Sequence, residues 1–85
     1  MKIQLNITTI DGEVEEVTAI VPDFVAWERH SKRKISDLVQ GIAMEDLAFL
    51  AHSVLKRQGQ VKPFDGWINS VAEIELVELD PKVTK

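Results

Sequence analysis

The chain has 85 residues, 45 % of them hydrophobic and 28 % charged, which fits one small globular domain that buries about two-thirds of its unfolded surface. It holds no cysteine, which excludes disulfides, thiol catalysis and thiolate metal sites, and no apolar run approaches the roughly 20 residues of a membrane span. Its formal net charge is −4, whereas a nucleic-acid module usually carries a basic net charge as well as a basic patch.

Residues 2–8, KIQLNIT, alternate: Ile3, Leu5 and Ile7 on one side, Lys2, Gln4, Asn6 and Thr8 on the other. That period predicts a strand with one buried face. Asp11-Gly12 follows, a pair that tolerates the positive φ of a hairpin turn. In EVEEVTAIV, Val17, Ala19 and Val21 share a face and Val14 is out of step, which predicts a bulge near Glu15–Glu16. Residues 2–21 therefore read as an antiparallel hairpin that ends at Pro22.

Asp23 is placed as the N-cap of a short helix over FVAWERHS, with Phe24, Trp27 and Ser31 on one face. Ser36-Asp37 can start a single turn that brings Leu38 and Val39 inward before Gly41 breaks it. The clearest element is a helix over 43–58. Leu47, Leu50, Ala51, Val54 and Leu55 form its apolar stripe, with Glu45 and Asp46 in the first turn, Lys56 and Arg57 in the last, and Gly59 as the stop. At about 100° per residue, Phe49 points away from that stripe, among Glu45, His52 and Lys56. After Pro63, Asp65 is placed as the cap of a short helix through GWINSVAEI, with Trp67, Ile68 and Val71 on its apolar side. EIELVEL reads either as a frayed helix end or as a short strand, and the extended reading is preferred. The expected fold class is α+β, an N-terminal antiparallel β-hairpin packed against three helices, one long and two short, with a short extended C-terminal segment. Residues 1–79 form one domain in this reading, and 80–85 a disordered tail.

Chemistry is sparse along the chain. His30 and His52 have no metal-ligand spacing, no serine sits in a nucleophile motif, the four glycines are dispersed, and no carboxylate pair stands out. The expectation is a non-enzyme with no cofactor and no metal. The informative stretch is FVAWERHSKRK, residues 24–34, where aromatics run into Arg29, Lys32, Arg33 and Lys34 in an otherwise acidic chain. Residues 11–28 and 63–80 carry acids and no Lys or Arg. An acidic–basic–acidic order suits head-to-tail self-association, so a homo-oligomer is expected and nucleic acid is disfavoured. Phe24 reads as core against Ile3, Leu5 and Ile7. Trp27 and Trp67 divide between core and interface anchor, because large aromatics serve both. Phe49, turned from its own stripe, reads as a partner contact, and Met44 can join it. The candidate partner-binding set is Trp27, Arg29, Lys32, Arg33, Lys34, Met44, Phe49 and Trp67. The alternating polarity of the opening residues is not that of a secretory leader, and the expected address is the cytoplasm.

Pro22-Asp23, Trp27-Glu28-Arg29, the Leu-Ala-rich helix from Leu47 to Arg57, Phe64-Asp65-Gly66-Trp67 and the acidic run from Glu73 to Asp80 follow one another over about 60 residues. This order resembles the small tail assembly chaperones of long-tailed bacteriophages, particularly those infecting actinobacteria. The motifs are loose and contain no catalytic residue. The resemblance implies a protein of the infected cell's cytoplasm that coats the long, apolar tape measure protein, keeps it soluble, helps recruit tail-tube subunits and leaves before the tail is complete. Many such chaperones also exist in a longer, frameshifted form. Two other readings remain: a small regulatory nucleic-acid binder, resting on the basic cluster alone, and a structural tail or head–tail joining component.

Overall fold

The computed structural model describes residues 2–59 and 62–80. The order is β1 (Lys2–Thr9), β2 (Val14–Ala19), α1 (Val21–Ser31), α2 (Ile35–Gln40), α3 (Met44–Arg57), α4 (Phe64–Ile68) and β3 (Val71–Asp80). The fold is α+β: a three-stranded antiparallel sheet, order β2-β1-β3, with the helices against one face. The N-terminal hairpin is present. The expected single turn at 36–40 is a helix of its own, which makes four helices rather than three. Of the tail expected at 80–85, Asp80 is the last residue of β3, paired with Lys2, and 81–85 lie outside the described residues.

The hairpin closes through Thr9 and Glu13. The Thr9 N–H donates to the Glu13 carbonyl (2.8 Å) and the Gly12 N–H to the Thr9 carbonyl (2.9 Å). Gly12 sits at φ 90°, the left-handed conformation that glycine reaches without steric cost. Pairing from Ile3↔Ala19 to Thr8↔Val14 runs without a break, so the bulge expected near Glu15–Glu16 is absent. Val14 is out of step because it belongs to the outer face, opposite Thr8, where it is 64 % exposed. The irregularities lie instead between β1 and β3. Thr9 pairs with Val71 and Thr8 with Glu73, skipping Ala72; Leu5 pairs with Leu76 and Gln4 with Glu78, skipping Val77. The preferred extended reading of EIELVEL holds, but the strand starts at Val71 and α4 stops at Ile68, earlier than the expected helix.

Three helices begin by one device. Asp23, Asp37 and Asp46 each stand at the third helical position and reach back to the N–H just before the helix: Ile20 at 2.9 Å, Lys34 at 3.3 Å and Ala43 at 3.0 Å. This is half of a capping box, with the carboxylate also favoured by the helix dipole. Asp23 is therefore not the N-cap expected from sequence. The helix starts before it and takes in Pro22 in the first turn, where the missing N–H is no loss. Asp65, likewise, lies inside α4, whose cap position is Pro63. α1 ends on Lys32 at φ 61°, its N–H donating to the Glu28 carbonyl (2.9 Å). α3 is followed by Gly59 at φ 75°, the stop read from sequence.

The core joins Ile3, Leu5, Ile7, Val17, Ala19 and Ile74 of the sheet to Phe24, Trp27, Leu38, Trp67 and the α3 stripe Leu47, Leu50, Ala51, Val54 and Leu55. Leu38 is buried as expected, whereas Val39 faces outward.

Candidate functional site

The two acids that start α1 and α3 also clasp the two helices together. Asp23, 1 % exposed, accepts from the Ser53 hydroxyl (2.7 Å) and from Arg57 Nη2 (2.8 Å), both on the far half of α3. Asp46, 7 % exposed, accepts from the indole N–H of Trp27 in the second half of α1 (3.0 Å), with Arg33, two residues past the end of α1, at 3.6 Å. Early residues of each helix thus meet late residues of the other, so α1 and α3 run in opposite directions. Each carboxylate satisfies one helix start and grips the other helix. Buried charges persist when paired and hydrogen-bonded in this way.

The Trp27–Asp46 half of the clasp, with Arg33, lines an open trough of about 960 Å³. Its walls are the end of α1, the face of α3 turned from the sheet, and the segment 62–65 that leads into α4. His30 of α1 stacks on Phe49 of α3, ring centres 4.6 Å apart and planes 19° from parallel. His52, one turn along α3, lies 5.3 Å from Phe64 and 5.2 Å from Trp67. Its Nε2 is 2.8 Å from the Lys62 carbonyl, which can only accept, so Nε2 carries the hydrogen. The Arg33 guanidinium lies 5.1 Å from the centre of the Trp27 ring, within cation–π range. Lys56 and Lys62 add positive charge to the rim, against Glu45 and Asp65.

Of the eight partner-binding candidates, the trough gathers Trp27, Arg33 and Phe49. Trp27 and Trp67 are core residues, 1 % and 8 % exposed, so neither is offered to a partner as a surface anchor. Phe49 is not fully outward. It is half-buried against the core because His30 covers one face. Arg29, Lys32 and Lys34 are exposed and lie outside the trough, and Met44 is 62 % exposed beside the start of α3. The sequence reading missed His30, His52 and Phe64. Spacing carries part of that signal: His30 is three residues after Trp27 and His52 three after Phe49, the interval that brings helical side chains together.

What this arrangement offers chemically is binding: aromatic faces, two imidazoles and a charged rim in an open channel. Among the described residues, no three His, Cys, Asp or Glu side chains gather as a metal site requires, and no helix is long and apolar enough to cross a membrane. No protein-family model, curated protein or solved structure matches the chain.

Proposed function

We propose that the chain is a tail assembly chaperone of a long-tailed bacteriophage, acting in the cytoplasm of the infected cell. It holds the tape measure protein soluble and extended, helps bring tail-tube subunits to it, and does so as many copies along one rod. The observation that carries this reading is the trough. An amphipathic helix needs an open, apolar channel with a polar rim, and Phe49, His30 and Phe64 supply the channel. A tape measure presents many similar sites on one long helix, so modest affinity per site is enough once copies act together.

The resemblance in sequence supports the same reading. Asp23, Trp27 and Arg57, which belong to the resembling motifs, build the clasp. Glu28 of the Trp27-Glu28-Arg29 triplet accepts from the Ile35 N–H (2.9 Å) and fixes the start of α2. The same motifs also line the trough, through Trp27, Phe49, His52, Lys56, Phe64 and Asp65, so scaffold and binding surface come from one set of segments. The exposed basic residues Lys32, Arg33 and Lys34 suit the acidic surface of a neighbouring copy.

The test is co-expression with a candidate tape measure protein. The wild-type chain keeps it in the soluble fraction. Phe49→Asp combined with Lys32, Arg33 and Lys34→Glu loses both that effect and self-association. An unchanged soluble fraction and unchanged self-association would show the reading to be wrong.

A further inference from the structure

The free edge of β3 is a second surface, separate from the trough. β3 lies at the margin of the sheet and runs for 10 residues, against about 5–6 for a usual strand. The two skipped residues give this strand an unusual order. Glu73, Glu75 and Glu78 are not evenly spaced, yet they pair with Thr8, Asn6 and Gln4, which all lie on the outer face. Skipping Val77 returns Glu78 to the face of the other two. On the inner face Ile74 is buried, and Leu76 is 39 % exposed. An incoming strand would meet a row of carboxylates on one side and aliphatic surface on the other.

Residues 71–80 contain no Lys, Arg, Pro or Gly, and none of Glu73, Glu75 and Glu78 has an ion-pair partner among the described residues. Edge strands are commonly guarded by lysine or proline. Here the guard is carboxylate alone, and it is selective. A second copy adding through β3 would bring acids against acids, and adding through β2 would bring Glu16 on the same outer face. Like charges opposite one another across a ladder are destabilising. A strand of opposite charge meets no such barrier and gains main-chain hydrogen bonds as well.

We propose that the β3 edge docks an extended segment of another protein in which Lys or Arg alternates with aliphatic residues, adding a fourth strand to the sheet. The basic side chains pair with Glu73, Glu75 and Glu78, and the aliphatic ones extend the row of Ile74 and Leu76.

The test titrates the intact chain with an acetylated, amidated peptide, Lys-Val-Lys-Ile-Lys-Val-Lys, and with a block peptide of the same composition, Lys-Lys-Lys-Lys-Val-Val-Ile, following amide exchange by NMR. The alternating peptide binds about tenfold more tightly, since only it can present both rows at once. It slows exchange of the β3 amides not bonded to β1. Glu75→Lys, at an exposed position, weakens it about tenfold without unfolding the protein. Equal binding of the two peptides, binding of neither, or protection confined to the trough overturns the proposal. So does protection of β3 that rises with protein concentration alone, which would make a second copy the occupant. The trough variants do not enter this experiment, so its failure leaves the chaperone reading standing.

Discussion

Asp23 ties the start of α1 to the second half of α3 through one side chain. A single carboxylate closes the start of α1 and takes donors from two positions of α3. Asp23→Asn keeps the shape but turns an N–H₂ group toward the Ser53 and Arg57 donors. We expect a loss of about 2–3 kcal/mol, because a buried N–H₂ group is left facing donors, while Arg57 keeps its contact with water. Ser53→Ala removes one donor and costs only about 1 kcal/mol. Thermal unfolding resolves the two, at roughly 4–8 °C per kcal/mol for a chain of this size. If both variants melt alike, Asp23 is not the hub described here. Trp27→Phe takes the indole N–H from Asp46 and leaves a gap, at about 1–3 kcal/mol in the same assay. A neutral Trp27→Phe would mean that the Asp46 contact holds nothing.

Among the elements, β3 decides whether the hairpin has a stable surround. A two-stranded hairpin is marginal by itself, and β3 supplies both the third strand and Ile74. A chain ending at Ser70 is expected to lose its cooperative thermal transition. The skipped residue at Val77 gives a sharper test. Deleting Val77 leaves Leu76 on the inner face and Glu78 on the outer, so the loss stays within about 1 kcal/mol. Deleting Glu75 instead reverses the faces of its neighbours and costs several-fold more. Equal effects of the two deletions would refute the register.

These elements also show what sequence can and cannot specify. The alternation of β1, the α3 stripe and the Gly59 stop were legible because each is a local period or a local backbone requirement. Val14 misled because an exposed valine on the outer face mimics a slipped inner one. The cap at Asp23 was misplaced by three residues, since an acid suits both the cap and the third helical position. Asp23 with Arg57 and Asp46 with Trp27 were not legible at all. They are 34 and 19 residues apart, and only the antiparallel packing of α1 on α3 brings them together. The same holds for His30 over Phe49, which turned an expected outward Phe into the half-covered wall of a trough.

At the scale of the whole molecule, the sheet side and the helix side carry different surfaces. The outer sheet face is lined by carboxylates on β2 and β3, and the helical side holds the aromatic trough with Arg33, Lys56 and Lys62 at its rim. A small domain with an open channel and segregated charge is suited to hold another polypeptide reversibly, many times along its length. The most direct measurement is the fraction of a tape measure protein that stays soluble when co-expressed with this chain. The account predicts a soluble complex with the wild type and insoluble tape measure with Phe49→Asp, the variant itself remaining folded by circular dichroism. Equal solubility with the wild type, with folded Phe49→Asp and with no chain at all would contradict it.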